Sequence, residues 1–501
     1  MVCRINCAAI TGVEIFPVAV ETDISNGLPA FDMVGLLSSD VKESKERVKT
    51  AIKNSGFTIP PKRITINFSP GNIRKCGTYF DLPVAVSILY ALDILQGDLE
   101  EKLFVGELSL DGTVVPVNGI LPMVLFGLQN GYKQCFVPME NVGECSIVKG
   151  IDVVGVESLN QLVMMLLTGK YEKKIIKDKK EKIEVSNRDF KFIKGQIQAR
   201  KAAEIAAAGM HNLLLVGPPG TGKTVIAKTL PTILPDMSKE EIIEISKIQS
   251  IAGNLDGHLV SERPFRNPHH TATVSAFTGG GINPRPGEMT LAHGGVLYMD
   301  EFPEFSRKVM ETLRQPMEEG QVVVSRASGT FRFPADFLLL GSMNPCKCGY
   351  YPDRNRCNCT EMDVKKYVEK ISGPILDRID LCVHMNPVSF GEIKSDGKEE
   401  CSADIRKRVE VAVHIQRQRY KTESFNYNGQ LQGRYIEQYC HLDKKETRFL
   451  EDIYNKMKLS VRSYEKILKV SRTIADLQEK DKITTEDISQ AVSYKTMEGV
   501  R

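Results

Sequence analysis

Long apolar runs are missing from this 501-residue chain. The longest, Leu82 to Leu95, is interrupted by Asp93 and falls short of the roughly 20 residues that span a bilayer. The amino terminus carries Arg4 and Glu14 without a sustained apolar segment, so no membrane anchor or export signal is expected and the location implied is cytoplasmic. A charge surplus is also lacking: 66 Lys+Arg stand against 63 Asp+Glu, a net charge of +3. That balance neither demands nor excludes nucleic acid, so any basic surface must come from local arrangement. There is no disulfide framework either, because the 12 cysteines are scattered except for four within residues 346–359, as expected of a reduced thiol pool with one local cluster. No internal repeat is visible, which argues against a solenoid.

What is present is enough for several cores, since 42% of the residues are hydrophobic and the length exceeds what one core usually organises. Residues 1–170 alternate β-rich runs (Val13 to Val20, Arg63 to Phe68, Cys135 to Pro138) with helical patterns, as in an α+β domain. Val41, Val48 and Ile52 share one face of a helix whose other face is charged. Residues 171–186, dense in lysine and glutamate, read as a linker. Across 187–390 the continuous apolar runs Leu213–Val216, Gly295–Met299 and Phe337–Gly341 are those of a parallel sheet covered on both faces, a doubly wound α/β core. Residues 400–501 are expected to form a helical lid. There Tyr464, Ile467, Leu468, Ser471 and Ile474 share a face, and Thr484 with Asp487 makes a capping box.

The run Gly217, Pro218, Pro219, Gly220, Thr221, Gly222, Lys223, Thr224 fits G-x-x-x-x-G-K-[ST] directly after an apolar strand. Its glycines let backbone N–H groups face phosphates, Lys223 reaches the β- and γ-phosphates, and Thr224 is suited to hold Mg²⁺. Roughly eighty residues on, the second strand ends in Asp300-Glu301. In this architecture that pair lies beside the phosphate loop: Asp300 as a Mg²⁺ ligand, Glu301 as the group that polarises the attacking water. Asn344, after the third strand, is a candidate to orient that water or the γ-phosphate. The chemistry predicted is ATP hydrolysis with ATP and Mg²⁺.

Other strings carry a resemblance. Ser372-Gly373-Pro374-Ile375-Leu376-Asp377-Arg378 resembles a segment that supplies an arginine finger across a subunit boundary, and Ser460-Val461-Arg462 resembles a sensor 2 motif. With Arg263-Pro264-Phe265-Arg266-Asn267-Pro268-His269-His270-Thr271, Pro284-Arg285-Pro286-Gly287-Glu288, Leu291-Ala292-His293 and Arg472-Thr473-Ile474-Ala475-Asp476-Leu477, the chain resembles the YifB/ComM family of magnesium-chelatase-like AAA+ ATPases. The resemblance covers nearly the whole length. It implies a hexameric ATPase ring acting on DNA, with branch migration or helicase activity in the integration of transforming DNA. The alternatives are a chelatase motor for metal insertion or a protease-related remodelling factor. A D-x-S-x-S metal motif is not met, since Asp23-Ile24-Ser25-Asn26-Gly27 lacks the second serine. His269 and His270 read as structural or pore-lining, because an adjacent pair cannot complete a metal shell.

Gly106–Gly112, Val115–Ile120 and Val137–Asn141 resemble the proteolytic domain of Lon. Such a site needs a serine activated by a lysine. Leu121 stands where the lysine belongs, and Gly77-Thr78-Tyr79-Phe80-Asp81-Leu82-Pro83 contains no serine. Cys76 and Thr78 have no motif-placed base, so the domain is expected to be non-catalytic and no protease. Cys346-x-Cys348 and Cys357-x-Cys359 offer the four sulfurs of a tetrahedral Zn²⁺ site, while tight C-x-C pairs are also found redox-active or simply buried. Arg406, Lys407, Arg408, Arg417, Arg419 and Lys421 are candidate phosphate contacts, and a solvated helix face accounts for them equally well.

Overall fold

The computed structural model describes residues 3–171, 188–281, 284–326, 329–394 and 399–494; the charged linker, apart from Tyr171, lies outside them. The β-rich runs of the first part build one seven-stranded mixed sheet, ordered Ala30–Val34, Arg63–Ser69, Glu14–Ser25, Cys3–Thr11, Lys102–Phe104, Gln134–Pro138, Asp152–Val156. The amphipathic helix Ser39–Asn54 buries Val41, Val48 and Ile52 as its spacing requires. Helix Asp81–Ala91 is buried along most of its length. Asp81 begins it at the bottom of the core, where Arg47 Nε lies 2.8 Å from its carboxylate. Burial raises Asp81 to about 6, against the pull of Arg47 and of the Leu108 N–H.

The second sheet has five strands, all parallel, in the order Phe265–Arg266, Val296–Met299, Leu338–Met343, Leu213–Val216, Leu381–His384. Successive residues of one strand join different cores. Leu213, Leu215, Leu338 and Leu340 pack with the helix Ile197–Gly209 and the carboxy-terminal helices. Leu214, Val216, Leu339 and Met343 pack with Phe277, Phe302 and Phe333 on the other face. This two-sided burial explains why the strands read as unbroken apolar runs.

From Ser402 onward the regular structure is helical. Helix Val461–Leu477 buries Ile467, Leu468, Ser471 and Ile474, and Thr484 with Asp487 forms the predicted capping box. The basic residues of helix Ser402–Arg419 turn out to be matched by carboxylates of this chain: Arg406 by Asp236 and Glu410, Lys407 by Asp404, Arg408 by Glu204 and Glu400, Arg417 by Glu241, and Arg419 by Asp476. Arg419, paired with the buried Asp476, must give up that partner before it can bind a phosphate, whereas Lys407 stays largely exposed in a local pair with Asp404, as on a solvated helix face. Among the described residues no helix is long and apolar enough to cross a membrane. No disulfide joins any of the cysteines.

Candidate active site

The strand register brings the predicted residues to one edge. Val216 pairs with Met343, and Met299 with Gly341, so the segments that leave these strands, Gly217 onward, Asn344 onward and Asp300-Glu301, emerge side by side at the carboxyl end of the sheet. The chain order reverses at this point, which is where open α/β sheets bind ligands.

The phosphate loop is shaped by its glycines. A Cβ at Gly217 would lie 2.5 Å from the Met385 carbonyl oxygen, so only glycine lets the loop leave its strand there. Gly220 and Gly222 have φ of +80° and +90° with open space where a side chain would stand, a cradle whose floor is backbone. Thr221 closes the turn by donating to the Pro218 carbonyl at 2.9 Å. Lys223 Nζ donates to the carbonyls of Gly217 (2.6 Å) and Pro218 (2.9 Å) and to Asn344 Oδ1 (3.1 Å). Burial lowers its pKa, and Asp300 opposes that shift. The ammonium is thus folded onto groups that a phosphate would replace.

Thr224 Oγ1 lies 3.4 Å from Asp300 Oδ2. The other oxygen of Asp300 accepts from Ser342, whose hydroxyl is also 3.1 Å from the Tyr298 hydroxyl. Ser342 is a site residue that the sequence reading passes over, because the predicted third strand stops at Gly341 whereas the observed one runs to Met343. A polar residue in an apolar strand, two positions before Asn344, was the available signal. Glu301 has a left-handed backbone, φ +51°, unusual for a side chain of this size, and its carboxylate is largely exposed. His270 Nδ1 stands 3.7 Å from Glu301 Oε2 and its ring lies tilted by 33° against that of His269, with centroids 4.2 Å apart. The expected structural role of His270 therefore has an addition: it neighbours the candidate water-orienting carboxylate.

The hydroxyl of Thr224, the carboxylate of Asp300, the loop N–H groups and Lys223 are the hard oxygen donors and phosphate-binding groups that a Mg²⁺–nucleotide requires, and the space beside Gly220 and Gly222 is open. Arg378 and Arg462 are placed elsewhere. Both find an ion-pair partner in Glu318, Arg462 at 3.7 Å. Arg378 also donates to the Pro374 carbonyl at 2.5 Å, and its Nε is buried with no hydrogen-bond partner. They line a cleft of about 430 Å³ with Glu318, Asp377 and Lys469.

In the amino-terminal body Leu121 is buried, Thr78 donates to Glu107, and burial raises the Cys76 thiol. The segment beside the missing lysine is used for docking instead. Gly119 N–H donates to the Ser250 carbonyl (3.0 Å), and Ser250 Oγ to Glu144 (2.6 Å). The four clustered cysteines do meet: all four sulfurs lie within 4.8 Å of one another. The Tyr350 N–H and neighbouring thiols draw Cys348 down to about 6, whereas burial pushes Cys357 up to about 12.

Comparison with known proteins places the chain in a family. Residues 20–141 match the family described as subunit ChlI of Mg-chelatase, residues 189–393 magnesium chelatase subunit ChlI, and residues 399–495 its C-terminal part. These matches define the class, a magnesium-chelatase-like α/β protein with a parallel-sheet core. The chain is 40% identical over 498 residues to competence protein ComM of Haemophilus influenzae, covering 98% of this chain and 96% of the relative. It is 38% identical over 498 residues to YifB of Escherichia coli, covering 99% and 97%. The magnesium-chelatase 38 kDa subunit of Cereibacter sphaeroides is 26% identical over 174 residues, 31% of this chain and 52% of that one. The chain belongs to the YifB/ComM family of magnesium-chelatase-like proteins.

Proposed function

We propose that this protein is an ATP-hydrolysing motor that works as a ring, expected to be a hexamer, on DNA. The observation that carries the ATPase reading is the meeting of Lys223, Thr224, Asp300, Glu301 and Asn344 at one sheet edge. In this reading Lys223 exchanges the Gly217 and Pro218 carbonyls for phosphate oxygens. Thr224 and Asp300 hold Mg²⁺, which when bound offsets phosphate charge. Glu301 orients the attacking water and takes its proton, and Asn344 keeps the reacting groups in line. Arg378, with Arg462 on the same carboxylate, serves the site of a neighbouring subunit, where it meets charge that develops in the transition state. Residues 1–170 are a Lon-like domain that assembles rather than cuts, 171–186 a linker, 187–390 the ATPase core and 400–501 the lid.

The DNA part rests on the full-length kinship with a competence protein, and branch migration of transforming DNA is the activity it favours. A chelatase motor has the magnesium-chelatase family matches along most of the chain in its favour, but the chelatase subunit itself aligns with only 31% of it. ATP turnover measured with branched, single-stranded and duplex DNA tests the choice. Stimulation by a branched junction, with ATP-dependent movement of that junction, is the expected result; a wild-type ring that hydrolyses ATP but neither binds nor moves any of the three would remove DNA as the partner.

A further inference from the structure

We infer that Cys346, Cys348, Cys357 and Cys359 hold one structural Zn²⁺, and that this metal clasp braces the phosphate loop. Tetrahedral thiolate sites have Zn–S bonds of about 2.3 Å, which puts ligand sulfurs about 3.8 Å apart. The observed separations are 3.3 Å for Cys346–Cys348, 3.5 Å for Cys348–Cys357 and 3.8 Å for Cys346–Cys357. These are far beyond the roughly 2.05 Å of a disulfide and already close to the edges of such a tetrahedron.

The surroundings suit a metal–thiolate centre with a net negative charge. Tyr351 N–H points at Cys346 Sγ at 3.4 Å. Arg354 donates to the Cys359 carbonyl at 2.8 Å, and Arg356 lies over the Tyr350 ring at 3.9 Å. Outer N–H donors and nearby cations of this kind orient and stabilise ligating sulfurs. Residues 344–360 also need a brace. They run without helix or strand from Met343 to the helix that begins at Glu361, longer than most structureless connections in compact domains. Four protein ligands leave no open position, so the metal's role is structural.

The loop touches the nucleotide site at two places. Asn344, which begins it, binds Lys223. Gly349, inside the cysteine loop with φ +92°, sits so close to the phosphate loop that a Cβ there would be 2.8 Å from Pro219 Cδ. Metal between the two C-x-C pairs fixes Gly349 against Pro219 and, through the same turn, Asn344 beside Lys223.

The metal arm of this inference stands apart from the ATPase reading; the bracing arm rests on it. Protein purified under reducing, chelator-free conditions should contain about one Zn²⁺ per chain, lost in C346S/C348S. Because that variant can misfold, the wild-type chain loaded with Co²⁺ supplies the second measurement, with the visible bands and sulfur-to-metal charge transfer of a tetrahedral thiolate site expected. Absence of metal, a cobalt spectrum without thiolate character, or loss of two titratable thiols to a disulfide under those conditions overturns the site. Zinc-stripped protein that keeps its circular dichroism should bind fluorescent ADP several-fold more weakly than the zinc-loaded chain. Equal affinity overturns the brace, while failure of the zinc-loaded chain itself to bind ADP would count against the nucleotide reading.

Discussion

Glu301 combines a solvent-facing carboxylate with a strained backbone, and its N–H is held by Asp300 Oδ1 at 3.1 Å. Strain of this kind persists only where surrounding structure over-determines it and concentrates at working sites. Glu301→Gln keeps the size and removes the proton acceptor. It is expected to leave ATP bound and lower turnover by about 10² or more, read by comparing nucleotide retention with phosphate release. Lys223→Ala should weaken binding itself. If Glu301→Gln hydrolysed ATP at the wild-type rate, the role would pass to Glu304, which faces Lys370 at 3.0 Å. Ser342 acts one step back, on Asp300, so Ser342→Ala should raise the Mg²⁺ concentration needed for half-maximal turnover while sparing its maximum.

Helix Lys239–Ala252 joins the three parts of the chain. Ser238 and Glu241 cap its start, and Glu241 also binds Arg263 at 3.0 Å, Arg417 at 2.8 Å and the Tyr427 hydroxyl at 3.0 Å. Its other end, Ser250, holds Glu144 and Gly119 of the amino-terminal body. Burial raises the Glu241 pKa, but Arg263, the Ser238 N–H and Arg417 more than offset it, and the net shift is downward. A carboxylate with a depressed folded pKa adds stability above its unfolded value, about 4.3, that is lost as the pH falls through the folded one. Glu241→Gln is therefore expected to destabilise the protein by about 3 kcal/mol at pH 7 because it strands buried guanidinium charge. In denaturant titrations the gap from wild type should begin to narrow as the pH falls past the unfolded value and close only once it has fallen through the lower folded one. The amino-terminal body is expected to leave casein and fluorogenic peptides uncut with or without ATP. Cleavage abolished by changing Cys76 or Thr78 would reveal a substituted nucleophile.

Ring action makes the most demanding prediction. Arg378→Ala should spare nucleotide binding yet lower turnover by about 10³ or more, since an arginine finger acts on transition-state charge. Mixing Arg378→Ala with Lys223→Ala subunits should restore part of the activity, because some boundaries then pair an intact phosphate loop with an intact finger. Mixed rings that form but stay inactive, while Arg378→Ala alone hydrolyses ATP normally, would sink the idea. Glu318 holds both arginines within the isolated chain, so a ring must draw Arg378 away from it. Glu318→Ala is accordingly expected to leave ATP binding unchanged and shift the concentration dependence of turnover to lower protein.

Much of the candidate nucleotide site was legible because each of its parts is a short contiguous string. A phosphate loop after Leu213–Val216 and an acidic pair after Val296–Met299 declare themselves by local spacing, and parallel strands deliver their carboxyl ends to one edge. The helix faces and the Thr484–Asp487 cap are equally local, set by the period of the helix and the reach of one side chain. What only the tertiary structure decided is pairing across long separations in sequence. Ser342 with Asp300, His270 with Glu301, Glu318 with both Arg378 and Arg462, and the matching of Arg406 to Arg419 by carboxylates all depend on which surfaces dock. A charged side chain reads the same in sequence whether it faces water, a phosphate or a buried partner; its neighbours in space determine which, and packing of the sheet, lid and amino-terminal body chose those neighbours.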